Sequence, residues 1–133
     1  MIAVDASAIL AIIRVEDEAE RFSRLLSDYD WMIGAPSVLE CRMVVHRSGD
    51  DADRRTLDFI LAYRASQIVD FGTSHLAAAE LAFERFGRGR HPAKLNFGDC
   101  MSYAIARVAD VPLLYKGNDF VLTDILPVTL PLP

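Results

Sequence analysis

Four acidic residues occupy positions from which they could act together, although they are far apart in the sequence. Asp5 directly follows one short apolar stretch and Asp119 follows another, while Glu40 and Asp99 lie in the first turns of predicted helices. Carboxylates that are brought together repel one another, and such clusters persist where a cation neutralises them. Oxygen ligands without cysteine or histidine partners favour Mg²⁺ or Mn²⁺ over zinc.

Each of these acids also has a purely structural explanation. Asp5 and Asp99 could cap helices, where the dipole favours a negative charge. Asp119 follows a glycine and an asparagine and could be an Asx-turn residue. Glu40 lies in an otherwise apolar stretch and could still pair with an arginine on a solvated face. Taken together, these explanations require four separate coincidences at one edge of a sheet, which favours a shared site.

The elements that would position these acids alternate between strands and helices. This alternation indicates a mostly parallel sheet covered on both faces, a three-layer α/β/α sandwich. Ligands of such sheets bind beyond the carboxyl ends of the strands, where the four acids are expected. Thr73 or Ser74 is expected to cap the fifth helix, and the proline-rich end predicts only a short strand at the sheet edge. The predicted strands are 2–4, 31–35, 67–71 and 111–115, and the predicted helices are 6–13, 16–26, 36–48, 50–66, 76–86 and 99–108.

The bulk composition narrows the classes of protein. A chain of 133 residues is most simply a single domain spanning 1–133, and its 52% hydrophobic residues are too many for a disordered chain. The longest apolar run is too short to span a membrane and no signal peptide is evident, which predicts a cytoplasmic protein without membrane association. The two cysteines have no metal or disulfide spacing. The net charge of −5 argues against binding nucleic acid by overall charge alone, but not against an enzyme whose acids hold cations.

Four segments of the chain resemble the motifs of PIN-domain ribonucleases, most closely those of the VapC toxins of bacterial toxin–antitoxin pairs. They are 1–7, 36–40, 95–100 (Leu-Asn-Phe-Gly-Asp-Cys) and 116–120 (Lys-Gly-Asn-Asp-Phe), and the last two are the most specific. The resemblance covers essentially the whole chain. It implies an α/β/α sandwich with Mg²⁺ or Mn²⁺ at the acids, an endoribonuclease that hydrolyses RNA phosphodiester bonds, and tRNA or rRNA as the usual target.

The resemblance also implies roles for individual residues. Asp5, Asp99 and Asp119 match the metal-binding acids, and Glu40 matches the acid that helps to place the metal or to activate water. Three further residues match supporting positions: Ser7, Asn118 and Asp124.

A basic segment close to Asp99 could supply the positive charge that the chain lacks overall. Its side chains either contact RNA beside the crevice or form an ordinary solvated loop. The residues concerned are Arg85, Arg88, Arg90, His91 and Lys94.

The resemblance further implies a cognate VapB-like antitoxin that neutralises the toxin, and a homodimer is expected. The helical segments 16–26 and 53–66 are candidate docking and dimer surfaces, although apolar stripes with this spacing are more often part of a core.

The sequence also allows two other interpretations. A signalling receiver domain would use Asp70 as phosphoacceptor and Lys116 as its lysine, but it requires a pair of acids after the first strand, where only Asp5 is present. The second reading is a catalytically inactive PIN-like domain that serves as a binding module.

Overall fold

The structure is a computed structural model, and it describes residues 1–63 and 66–129. In this part of the chain, a pair of helices follows each of the first three strands. The strands are β1 (Ile2–Val4), β2 (Trp31–Gly34), β3 (Ser66–Val69) and β4 (Leu113–Leu114), and the helices are α1 (Ala6–Ile13), α2 (Ala19–Asp28), α3 (Ala35–Ser48), α4 (Asp51–Leu61), α5 (Thr73–Phe86) and α6 (Phe97–Ala109).

The four strands form one parallel sheet in the order β3-β2-β1-β4. Strand β1 is therefore central, with Ala3 aligned to Met32 of β2 on one side and to Leu113 of β4 on the other. All carboxyl ends of these strands lie at the same edge of the sheet, as the expected site requires.

Helices cover both faces of the sheet. Successive side chains of a strand point to opposite faces, and β1 illustrates this because Ile2 and Val4 pack in one core cluster while Ala3 packs in the other. The first cluster contains residues of α1 to α4, and the second contains residues of α5 and α6. The predicted three-layer sandwich is confirmed, with every pairing between its four strands parallel.

The predicted boundary between α4 and β3 was wrong. The fourth helix ends at Leu61 rather than near Ser66. The Ser66 hydroxyl donates to the carbonyl oxygens of Leu61 (2.8 Å) and Tyr63 (2.7 Å), and Ser66 itself pairs with Trp31 as the first residue of β3. Arg64, which was also expected in the helix, lies outside the described residues.

The start of α5 also differs from the prediction. Gly72 is the N-cap, so Thr73 and Ser74 lie in the first turn of the helix instead of capping it. The Gly72 amide donates to Nδ1 of His75 at 3.0 Å, which satisfies a donor at this helix end.

At the other end of the chain, Pro127 bridges to Leu113 beside β4, in agreement with the predicted edge position.

The apolar stripe of α2 belongs to the core. Ala19, Phe22, Leu25 and Leu26 are all buried within the chain, so they do not form a docking surface. In α4, by contrast, Phe59 is exposed.

In the described part of the chain, no helix combines the length and the apolar character needed to cross a membrane.

Candidate active site

Asp5 lies where the central strand β1 passes into α1. Its extended backbone makes it the N-cap of α1, with Oδ2 accepting from the Ser7 amide at 3.0 Å. The other oxygen, Oδ1, accepts from the Ser102 hydroxyl of α6 at 2.5 Å. Asp5 is only 6% exposed. The capping role and a role in a site therefore coexist in one side chain, because each uses a different carboxylate oxygen.

Asp99 lies in the first turn of α6, whose N-cap is Asn96. The two residues form a capping box: the Asp99 amide donates to Asn96 Oδ1 at 2.9 Å, and the Asn96 amide donates to Asp99 Oδ2 at 3.1 Å. Burial, together with the negative charges of Asp119, Asp5 and Glu40, raises the pKa of Asp99 to about 7, although the hydrogen bond from the Asn96 amide lowers it. The charges of all three other acids thus raise the pKa of Asp99.

Glu40 comes from α3, which begins after β2 with Pro36 in its first turn. Burial raises the pKa of Glu40, and the charge of Asp5 raises it further. Glu40 also lies against the start of α6, since a Cβ atom on Gly98 would be 3.0 Å from Glu40 Oε2. The absence of a side chain at Gly98 is what allows the helix to approach this carboxylate.

Asp119 lies in the segment that follows β4 and is exposed. The next residue, Phe120, is buried and packs on Tyr115 with ring centroids 5.0 Å apart, which anchors the segment. The Lys116 amide donates to the Ser7 hydroxyl oxygen at 3.0 Å. The structure therefore brings all four predicted acids to the carboxyl edge of the sheet, and Ser7 links the segments that carry Asp5 and Asp119.

The donor set fits a hard divalent cation in type and charge. It consists of carboxylates, two of which have raised pKa values partly because of the negative charges around them, and a cation would offset that repulsion. Within residues 1–63 and 66–129, no three His, Cys, Asp or Glu side chains form a group ready to hold a metal ion. The side chains would therefore have to adjust, and Asp99 is held in its present position by Asn96.

The remaining predicted residues differ in where they lie. Asn118 is exposed in the segment after β4, and its carbonyl oxygen accepts from Val121. Asp124 accepts from the Tyr103 hydroxyl at 2.6 Å and from Arg85 at 3.2 Å. Partial burial raises the pKa of Asp124, but the Tyr103 hydroxyl and the nearby arginines outweigh this and lower it. Asp124 thus contacts α5 and α6 rather than the four acids.

Two of the predicted basic residues line a groove beside α6. Arg88 and Arg90 border this cavity of about 610 Å³ together with Asn96 and Phe97. Arg85 instead forms its ion pair with Asp124. Lys94 is exposed in the loop and His91 is half-buried, with its Nδ1 accepting from the Ala93 amide.

A second groove, of about 510 Å³, adjoins the first. It is bordered by Glu40 and Arg47 of α3 and shares Asn96 and Phe97 with the first groove. Phe97 is 79% exposed and lies where the two grooves meet.

Sequence reasoning missed two buried serines that contact the site. Ser102 donates to Asp5, and Ser37 lies 3.1 Å from Ser102 between the two hydroxyl oxygens. Each is one helical turn from a predicted acid, Ser102 after Asp99 and Ser37 before Glu40, and residues three apart share a helix face. That spacing is the signal that could have found them.

The order of the strands excludes the interpretation as a signalling receiver domain. Asp70 follows β3 and Lys116 follows β4, and these strands are the two edges of the sheet. Three strand spacings separate them, about 14 Å. Lys116 instead forms ion pairs with Glu16 and Glu18.

Comparison with known proteins defines the class. The sequence profile of the PIN domain matches residues 2–126, so the chain belongs to the PIN-domain family. Relatives within that family include VapC ribonucleases. The chain is 38% identical to ribonuclease VapC30 of Mycobacterium tuberculosis over 129 residues, covering 96% of this chain and 98% of the relative. It is 45% identical to ribonuclease VapC28 of the same species over 120 residues, covering 88% and 90%.

Solved structures share the fold. The VapC20 toxin of Mycobacterium tuberculosis, described as cleaving the sarcin–ricin loop, superposes with a TM-score of 0.74 at 16% identity, covering 96% of this chain and 98% of that one. VapBC2 of Rickettsia felis, bound to a fragment of promoter DNA, gives a TM-score of 0.73 at 17% identity, covering 97% and 98%.

Proposed function

We propose that this protein is a Mg²⁺- or Mn²⁺-dependent endoribonuclease that acts as the toxin of a toxin–antitoxin pair. The observation that carries the proposal is the convergence of four carboxylates at one sheet edge in a chain that belongs to the PIN-domain family. The ribonuclease activity is supported by the VapC ribonucleases that match most of its length. The metal dependence is supported by the all-oxygen donor set.

The four acids would have different roles in the reaction. Asp5, Asp99 and Asp119 would hold the cation, and Glu40 would orient or accept a proton from the attacking water. When bound, a divalent cation acidifies water and neutralises the charge that develops on the phosphate. The burial of Asp5 and Asp99 excludes solvent from one side of the cluster and so strengthens its electrostatic interactions.

Single-stranded or looped RNA is the expected substrate class, with tRNA and rRNA as the two candidate targets. Unpaired nucleotides can be splayed out and can enter a groove that a duplex cannot. Arg88 and Arg90 would contact phosphates along the groove that Asn96 and Phe97 also border.

The partner proposed here is a VapB-like antitoxin that neutralises the toxin, and the assembly proposed is a homodimer. Solved neighbours of the same fold include toxin–antitoxin complexes, which supports the first part. A substrate among the cellular RNAs supports the proposal that the protein acts in the cytoplasm.

The test is cleavage of tRNA and rRNA by the purified protein with Mg²⁺, with Mn²⁺ and with chelator. We expect discrete products only when metal is present. Asp5→Asn should lower the rate by more than about 100-fold, beyond the loss typical of outer-shell groups, because it removes a proposed ligand. Asp17→Asn removes an exposed acid and is the matched control, expected to cleave like the wild type.

Two outcomes would contradict the proposal. Cleavage that survives both chelator and the Asp5→Asn change would exclude the metal site. A wild-type protein that binds RNA but cleaves neither class under any metal condition would favour the inactive binding module.

A further inference from the structure

Two buried hydroxyl groups form a chain that ends on Asp5. Ser37 of α3 is 2% exposed and Ser102 of α6 is 1% exposed, and their oxygens are 3.1 Å apart. Ser102 is in turn 2.5 Å from Asp5 Oδ1. This chain of hydroxyl groups therefore connects one helix on each face of the sheet to the acid at the end of the central strand.

The direction of the hydrogen bonds follows from counting protons. An ionised carboxylate can only accept, so the single hydroxyl proton of Ser102 is committed to Asp5. Ser102 then has no proton left for Ser37, and Ser37 must be the donor in the 3.1 Å contact. The order is fixed as Ser37 to Ser102 to Asp5.

The Asp5 carboxylate is thereby held at both oxygens. Oδ1 accepts from Ser102, and Oδ2 accepts from the Ser7 amide at 3.0 Å. Two donors on different oxygens fix the plane of the carboxylate and leave its remaining lone pairs for another partner. Hydrogen bonds to a buried carboxylate are strengthened by the low local dielectric, so these two donors favour one geometry of Asp5.

We propose that Ser102 and Ser37 are positioning residues of the active site, which orient the Asp5 carboxylate through this one-way hydroxyl chain. The inference rests on the proposed function for its catalytic consequence. Its structural consequence, a fixed Asp5 carboxylate, is independent of any metal. Ser37 acts only through Ser102, so its removal must have the smaller effect.

The experiment compares Ser102→Ala, Ser37→Ala and the double variant with a matched control. The control is Ser66→Ala, which removes a half-buried hydroxyl with hydrogen bonds of 2.8 and 2.7 Å at the start of β3. Three quantities are measured: the melting temperature, the affinity for Mn²⁺ by paramagnetic resonance, and the amide signal of Ser7 in metal-free protein by NMR.

We expect Ser102→Ala to weaken Mn²⁺ binding by about 10- to 100-fold, the loss typical of outer-shell partners. It should also shift the Ser7 amide signal, because the released carboxylate no longer holds a fixed position against that amide. Ser37→Ala should change both quantities less, and the double variant should match Ser102→Ala because the two residues act in series. Ser66→Ala should lower the melting temperature only.

The proposal is overturned if Ser102→Ala leaves the Ser7 signal in place, since the serine would then be a packing residue. It is equally overturned if Ser37→Ala and Ser102→Ala have independent and additive effects. A wild-type protein that binds no Mn²⁺ would remove the metal from the proposed function, and the Ser7 signal would still decide the role of the serines.

Discussion

At the scale of single residues, the sequence indicated the acids but not the groups that orient them. Asp5, Glu40, Asp99 and Asp119 could be predicted because each stands at an element end in a specific motif. Ser37 and Ser102 were missed although each lies three residues from an acid, because the contact between them forms only when α3 and α6 approach each other. Asp124 shows the converse, since a motif position suggested a supporting role while its contacts are with Tyr103, Arg85 and Arg107.

The Tyr103–Asp124 hydrogen bond predicts a defined dependence of stability on pH. Burial, together with the hydrogen bond to Asp124 and its negative charge, raises the pKa of Tyr103 to about 12. The folded state thus holds this proton more tightly than the unfolded state, so the stabilisation is complete below about pH 10 and is lost as the pH rises towards 12. The pKa of Asp124 is lowered, so its contribution is lost in acid.

Tyr103→Phe should therefore lower the free energy of unfolding by roughly 1–3 kcal/mol at pH 7, where the phenol donates to a charged acceptor. The difference from wild type should shrink above pH 10 and in strong acid, as measured by urea unfolding across pH. Tyr29→Phe is the control and should show no such profile. A Tyr103→Phe penalty that stays constant from pH 3 to 12 would contradict the assignment.

At the scale of elements, the strands and helices were predictable and their ends were less so. The α4 boundary was missed because helical spacing continues past Leu61, whereas the Ser66 side chain and the pairing of β3 with β2 end the helix. The α5 start was missed because Thr73 and Ser74 are good caps in isolation, yet His75 reaches back to the Gly72 amide. Both errors are cases in which a side-chain contact outweighs local preference.

The approach of α6 to Glu40 predicts that Gly98→Ala separates stability from activity. Alanine favours a helix over glycine by up to about 1 kcal/mol, so the melting temperature should stay the same or rise. The added Cβ would lie 3.0 Å from Glu40 Oε2 and displace this carboxylate. Cleavage should then fall on the order of 10- to 100-fold, because small misplacements of reacting groups are costly.

Gly72→Ala is the control for this substitution, because a Cβ at Gly72 meets nothing within 4 Å. It should leave the cleavage rate unchanged. A Gly98→Ala variant with wild-type cleavage would show that Glu40 is free to move without consequence.

At the scale of the whole molecule, the parallel sheet followed from the alternation of elements, and the site edge followed from the sheet. The order of the strands in the sheet could not be predicted from the sequence. That order places Asp70 and Lys116 after opposite edge strands. With a net charge of −5, the proposed RNA binding would have to rely on a local basic patch. The structure divides the predicted basic residues into Arg88 and Arg90 on a groove and Arg85 in an ion pair.

This division predicts different salt dependences of RNA binding, measured in the Asp5→Asn background so that the RNA stays intact. Arg88→Ala and Arg90→Ala should each weaken binding and reduce the slope of log affinity against log salt by roughly 0.7, the value for one single-strand phosphate contact. Arg85→Ala should leave the slope unchanged and lower the melting temperature. Equal changes in slope for all three variants would contradict the division.

The central place of β1 has a consequence for how the molecule opens. The amides of Ala3 and Asp5 donate to carbonyl oxygens on β4 and the residue before it, while Ile2 donates to Asp30 beside β2, so this strand is bonded on both sides. The amide hydrogens of β1 should exchange with solvent only on global unfolding. Those of the exposed segment around Asp119 should exchange through local openings of low free energy. Asp5, at the end of this strand, is thus expected in a slowly exchanging part of the protein and Asp119 in a rapidly exchanging one. We therefore expect Asp119 to separate from Asp5 in local openings that leave the sheet intact.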